Sequence, residues 1–553
     1  MAVRMTETEE TVDAVIIGSG IGGLSAGAML AASGHSVVVC ESHYEIGGVA
    51  HEFFMTEEGK TVPTDRLSAA ERDGPSEYYK FEAGPSLYTG LSDSVSPNPL
   101  KHIFQMIGEE PQWIRYDRWT GFFEECLDTG FSQSIGAKAF EETLRTYGGP
   151  TALDDWYRLS EKLRPLTKGI MRLPSVALRS DLGIFRTLIA KYPRPFLDTV
   201  RVGSQITAPF SSVLEELQIS DAFLKNYLNL LCFLLQGLPA EGTLTAVMAY
   251  MIEDFFKPDA AVDFPVGGSG AIAGALERGI VKRGSKVLRR AHVEEILVRD
   301  GRAAGVRLRG GRVIVARKGV ISNTDAMSTY RMVPRGASKA VDSERRDLEE
   351  GAPLCASFLH LHVGIDAADL PADIAPQWTV CQSWQQPIDA PGNVIVVSVP
   401  SLLDPNLAPA GRHVVHAYTA GNEPYGLYEK YKGDLANPEY LKLKEERAQV
   451  LWRAIEKVIP DVRSRAKISL VGTPLTHERF NRRYRGSYGP AIIAGSSSIK
   501  FPGARTPLEG LFRCGDSTNP GIGVPAVASS GSNAAAAILS VSEHLRLLEK
   551  IRI

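Results

Sequence analysis

Two glycine-rich segments near opposite ends of a 553-residue chain constrain its fold more than anything else in it. The first is Val15-Ile16-Ile17-Gly18-Ser19-Gly20-Ile21-Gly22-Gly23. The second is Leu511-Phe512-Arg513-Cys514-Gly515-Asp516-Ser517, followed by Pro520-Gly521-Ile522-Gly523-Val524-Pro525. The first suits any dinucleotide. The second, so distant in sequence, implies a chain that folds back to grip the same ligand at its other end. A two-ended grip points to FAD.

The first segment reads as a strand, a turn and a helix. Val12 to Ile17 is an apolar, β-branched run that fits a buried strand. Gly18 makes the tight turn, Gly20 leaves room for a pyrophosphate, and Gly23 lets the next helix lie close to the strand. Gly22 opens that helix, which runs to about Ala32, and its N-terminal N–H groups and dipole suit phosphates. A second strand, Ser36 to Cys40, ends at Glu41, 18 residues after Gly23. A carboxylate there accepts hydrogen bonds from the adenosine ribose. Gly47 and Gly48 follow, allowing the backbone to run close beside a long cofactor.

The net charge of -3 argues against a nucleic-acid partner. The six cysteines form no CxxC pair and read as free thiols of a reducing compartment. Met1 to Glu10 lacks the pattern of a secretory or transit peptide, and no run has the length of a membrane span. The oligomeric state is left open.

The expected fold class is α/β: a Rossmann-type, glutathione-reductase-like FAD-binding domain with an inserted mixed-sheet substrate domain and a helical, membrane-facing subdomain. The segments fall at 10–99, 261–335 and 486–553 for the FAD-binding domain, 100–260 for the helical region and 336–485 for the mixed sheet. Met55 to Lys80 is polar and charged and reads as a surface insertion. His292 to Ser322 reads as a meander turning at Asp300-Gly301 and Gly310-Gly311. Gly510 to Cys514 is a further strand, with Gly515 and Asp516 at its end. The Asp516 carboxylate suits the flavin ribityl chain. The small-residue helix after Pro525 aims its dipole at the pyrimidine side of a flavin.

These pieces resemble the phytoene desaturase and carotenoid isomerase superfamily of FAD proteins. The likeness rests on Gly18 to Gly23, Glu41 with Gly47-Gly48, Phe81 to Leu87, Phe264 to Gly270, Ile321-Ser322-Asn323 and Gly515 to Val527. It is closest to the carotenoid isomerase-like proteins of plants and algae, through Val471 to His477 and Tyr488 to Ala491. The resemblance implies a non-covalent FAD, with Val293 meeting the adenine through its backbone and Gly523 and Val524 lining the isoalloxazine. It also implies a carotenoid or other long polyene as substrate, drawn from a membrane in a plastid or, in a bacterium, from the cytoplasmic face.

Such a substrate needs an apolar tunnel. Phe223, Tyr227, Leu230, Leu231, Phe233, Leu234, Met248, Tyr250, Met251 and Phe255 offer a lining. Lys162 to Arg201 holds nine Lys or Arg against two Asp, interleaved with apolar residues, a pattern suited to peripheral docking on an anionic bilayer. Redox-neutral cis–trans isomerisation, with FAD in its reduced form, is the leading expectation. Carotenoid hydration, desaturation or saturation, and flavin amine oxidation are the alternatives. No catalytic residue stands out. Glu253-Asp254 lies in apolar surroundings, and His51 follows the Gly47-Gly48 turn. His360 and His362 share one strand face, but no Cys or carboxylate joins them, so no metal is expected.

Overall fold

The computed structural model describes residues 9–553 apart from 69–70, 73, 75, 85–86, 202, 352, 492 and 495–501. Pro85 and Ser86 of the Phe81 to Leu87 segment therefore lie outside the described residues.

The apolar run before Gly18 forms the strand Glu9–Ile17, whose last residues are buried. It pairs in parallel with Val37–Cys40 on one side and Val313–Ser322 on the other. Lys286–Leu288 adds an edge that the sequence did not announce. Leu511–Arg513 pairs in parallel with Val313–Ser322, and the meander returns through Val293–Arg299 and Arg302–Leu308. These strands make one seven-stranded sheet from three distant stretches of chain. The helices Ile21–Ala32 and Val524–Ile538 meet almost backbone to backbone: a Cβ on Gly531 would stand 2.2 Å from the Gly22 carbonyl oxygen. That contact is why both helices carry small residues.

A second seven-stranded sheet orders its strands Ala466–Gly472, His360–Asp366, Arg412–Thr419, Val394–Ser398, Gln377–Cys381, Arg118–Phe122 and Phe131–Ser134. The last two belong to a stretch expected to be helical. Trp119, Phe122 and Phe131 favour the pleated, half-buried surface they occupy, and aromatic content overrode the helical reading. Alternation splits this sheet cleanly. Leu361, Val363, Val415, Ile395, Val397 and Trp378 pack under the helix Pro438–Glu456. On the other face, Gln377, Thr379, Val396 and Tyr418 reach the cavity described below.

Over that cavity stand the helices Ala137–Tyr147, Ala152–Arg172, Ala222–Gln236 and Thr245–Phe255, joined in one aromatic-rich core. Among the described residues no helix is long and apolar enough to cross a membrane. The polar Met55 to Lys80 excursion differs from a plain surface insertion. Its base is a small antiparallel sheet of Glu52–Met55, Thr61–Val62 and Tyr79–Glu82, with Tyr79 and Lys80 buried. The six cysteines are free; five are buried and Cys355 is half-buried.

Candidate active site

Both glycine motifs converge on one cavity of about 640 Å³. Gly18, at φ +89°, turns the chain out of its strand. A Cβ on Gly20 would lie 2.5 Å from Asn323 Nδ2, and one on Gly22 2.7 Å from Asn323 Oδ1. A Cβ on Gly23 would lie 2.3 Å from the Gly18 carbonyl oxygen. Gly18, Gly20 and Gly22 thus line the cavity, whereas Gly23 serves helix-to-strand packing. Gly47 and Gly48, both at positive φ, bring their loop against Gly20 through a parallel bridge.

Glu41 ends its strand as expected. One carboxylate oxygen accepts from the Ser19 N–H at 2.9 Å and the Ser19 hydroxyl at 2.6 Å, and the other accepts from the His43 N–H at 2.7 Å. These bonds fix the carboxylate at the cavity wall. From the far end of the chain come Gly515, Asp516, Gly523 and Val524. Asp516 is ion-paired with Arg483, a cavity residue that the sequence reading did not single out. Asn323 was also missed as a site residue, although it stands between Gly20, Gly22, Gly23 and Gly515 and ties the two motifs together. Val293 is buried in its strand and stands outside the cavity wall.

The site fits a dinucleotide. Helices Ile21–Ala32 and Val524–Ile538 both begin at glycines with no side-chain cap and no acidic residue in their first turns. Their leading N–H groups and dipoles are left for an anion. Added side chains at Gly20 and Gly22 would fill the cradle.

Beyond the cradle the cavity turns apolar. Tyr227, Leu231, Phe233, Leu234, Tyr250, Met251 and Phe255 line it, as expected. Phe223, Leu230 and Met248 instead point into the helical core. The Tyr250 hydroxyl has no hydrogen-bond partner. Asp254 reaches the wall, where Lys257 Nζ stands 2.9 Å away. His51 lines the cavity, with Nδ1 at 2.5 Å from the Gly48 carbonyl oxygen, and burial lowers its pKa. Outside the cavity lining, Glu52 lies across from Glu82 in its strand pair, and burial pushes its carboxyl up to about 8.

The second sheet forms part of the cavity wall through Gln377, Thr379, Val396 and Tyr418. On the same face His360 and His362 meet His416, whose ring stacks on His362 at 4.3 Å. His360 Nε2 also lies 2.6 Å from His477 Nε2. Burial holds all four imidazoles below their ordinary pKa, His362 at about 4 and His477 at about 3. The sequence showed two of them. His416 and His477 arrive through strand pairing and a separate helix, which spacing does not reveal.

A family model described as flavin containing amine oxidoreductase matches residues 21–539. The chain belongs to that family. Curated proteins match it along nearly its whole length. Prolycopene isomerase, chloroplastic, from Arabidopsis thaliana is 29% identical, covering 98% of this chain and 85% of that one. Phytoene desaturase (lycopene-forming) from Pseudescherichia vulneris is 24% identical over 95% of this chain and 98% of that one. A solved oxidoreductase structure from Methanosarcina mazei superposes with a TM-score of 0.58 at 20% identity, covering 94% of this chain and 98% of that chain. For this flavoprotein, FAD is the cofactor.

Proposed function

We propose that this flavoprotein isomerises cis and trans double bonds of a carotenoid, without net oxidation, at a membrane surface. The observation that carries this reading is one continuous cavity. It joins a dinucleotide cradle to a lining of aliphatic and aromatic side chains from two helices. Its walls suit a long apolar polyene. The similarity to prolycopene isomerases, with phytoene desaturases beside them, favours isomerisation.

Reduced FAD, when bound, supplies electron density beside the polyene that lowers the barrier to bond rotation. The chain's own residues supply the rest. Glu41 holds the ribose end, Asp516 and Arg483 flank the middle of the cradle, and the uncapped helix Val524–Ile538 offers its N-terminus to the reactive end. Tyr227, Leu231 and Phe255 exclude water and hold the polyene along one line.

Membrane contact is supported by the stretch from 182 to 201. Leu182, Phe185, Ile189, Leu197 and Val200 are all more than half exposed, with Leu182 at 84%. Arg186, Arg194 and Arg201 stand exposed among them. Apolar side chains beside guanidinium groups match the chemistry of an anionic bilayer. Leu173 and Ser175, just before this stretch, line the cavity. Arg179 and Lys191 are spent inside the fold, on Asp181 and the Leu548 carbonyl. The Arabidopsis relative is named chloroplastic. We place this protein peripherally, in a plastid if its source is eukaryotic.

The test is to load the protein with reduced FAD and offer poly-cis carotenes in anionic liposomes without oxygen. The expected product has an altered isomer profile and unchanged mass. A product heavier by one water, or lighter by two hydrogens, replaces isomerisation by hydration or desaturation. Rapid flavin reduction by an amine favours the amine oxidase reading.

A further inference from the structure

The four-histidine cluster behind the cavity wall is the part of the molecule that flavin chemistry does not use. One nitrogen from each of His360, His362 and His416 lies within 4.8 Å of the others, and all three residues are buried. From this arrangement we propose a binding site for one divalent first-row transition ion of the zinc type, ligated by His360, His362 and His416.

The hydrogen bonds around the cluster assign the nitrogens. His362 Nε2 donates to the Glu82 carbonyl oxygen at 2.9 Å, so its Nδ1 carries the lone pair, and that atom has no partner. A backbone carbonyl on the second ring nitrogen is the usual support of a metal-bound histidine. His360 Nδ1 and His416 Nε2 face each other at 2.9 Å. His360 Nε2 contacts His477 Nε2, and His477 Nδ1 contacts the Asn481 side-chain amide at 3.2 Å. Asn481 presents Nδ2 to His477 Nδ1; with that amide turned over so that its oxygen accepts there, protons run in series from His360 to His477 to Asn481. His360 Nδ1 is then left as a lone pair. His416 Nδ1 is unpartnered, and so is the hydroxyl of Ser398, its neighbour across the strand pair. An N–H to that hydroxyl leaves His416 Nε2 as the third lone pair. Each ligand thus has an outer partner available, and in this set of tautomers three lone pairs face one another, where one cation satisfies all three in place of a proton shared between His360 and His416.

Neutral imidazoles with no thiolate or carboxylate in the set select a borderline ion such as Zn²⁺ over Mg²⁺ or Ca²⁺. Three histidines leave a fourth position open. Glu82, whose backbone carbonyl supports His362, carries a buried carboxylate of its own. The His362 and His416 rings lie nearly parallel, at 12°, so binding needs them to turn. The ion would pin the strands His360–Asp366 and Arg412–Thr419 together directly. It would hold the helix Pro474–Asn481 through His477.

The test uses the FAD-loaded protein, stripped with a chelator and then given Zn²⁺ or Co²⁺ alone. The expected result is one equivalent of metal per chain after desalting, a rise in Tm with Zn²⁺, and the visible bands of low-symmetry Co²⁺. His362→Gln and His416→Gln should each lose at least tenfold in affinity while keeping the flavin spectrum. His413→Gln, outside the cluster, should bind as the wild type. The site is refuted if the wild-type protein, with its flavin in place, takes up neither ion. Uptake that His413→Gln loses and His416→Gln keeps would overturn it equally.

Discussion

In the dinucleotide half of the cavity the walls are backbone. Glycines stand where a Cβ would strike Asn323 or a carbonyl oxygen, and two helix N-termini are left bare. In the polyene half the walls are side chains, drawn from two helices and from one face of the second sheet. The first half tolerates almost no substitution, because nothing can be removed from a glycine and nothing can be added. The second half is redundant, since many apolar groups share the exclusion of water. The difference teaches that cofactor and substrate recognition should fail in different ways.

The largest effect falls on the backbone half. Gly23→Val would drive a side chain into the Gly18 carbonyl, and the protein should purify without flavin, read from its visible absorbance. Next comes the proposed docking surface. Phe185→Ser with Ile189→Ser removes two exposed apolar groups. Partial burial of each contributes about 1–2 kcal/mol, so liposome binding should fall ~30- to 1000-fold. Turnover of detergent-dispersed substrate should not change. Unaltered liposome binding would separate the apolar stretch from membrane docking. Glu41→Gln should weaken FAD binding by about 10- to 100-fold, the worth of a charge-assisted hydrogen bond, in a fluorescence titration. A loss confined to turnover would move Glu41 out of the ribose site.

How far this contrast shows in the sequence follows from its physics. Gly18, Gly20, Gly22, Glu41 and Gly515 were legible because backbone conformation and steric clearance admit few residues there. Asn323 escaped notice because its role depends on a strand end arriving between two distant motifs. The tunnel residues were legible as apolar but not as lining. Tyr227 and Leu231 face the cavity while Phe223 and Leu230 face the core, and only helix rotation against its neighbours decides that. The histidine cluster was half visible, since period-2 alternation pairs His360 with His362. Pairing with Arg412–Thr419 brings in His416.

Two smaller effects sharpen the account of buried polar groups. Burial holds His102 at about 4, below its unfolded value near 6.5. Its folded pKa is depressed, so the unfolded state gains protons first as the pH falls. Stability is therefore lost between pH 6.5 and 4, by about 2 kcal/mol at pH 5 for this group. His102→Leu should shrink the difference between denaturant midpoints at pH 7.5 and pH 5. Glu52 acts with the opposite sign: its raised carboxyl makes stability fall as the pH rises toward 8. Smallest of all, Tyr250→Phe removes an unpartnered hydroxyl and should raise stability by about 1 kcal/mol. Turnover of a hydrocarbon polyene should stay within about twofold. A large fall would instead make that hydroxyl a substrate contact.

The central claim is that flavin and polyene share one cavity, and Leu231→Trp tests it most directly. Leu231 lines the apolar half, away from the glycine cradle. The measurement is the change in the bound flavin's absorption on adding a poly-cis carotene, together with isomer yield. The account predicts that Leu231→Trp retains full FAD but loses both the spectral change and the isomerisation. A variant that keeps FAD and isomerises at the wild-type rate would contradict it.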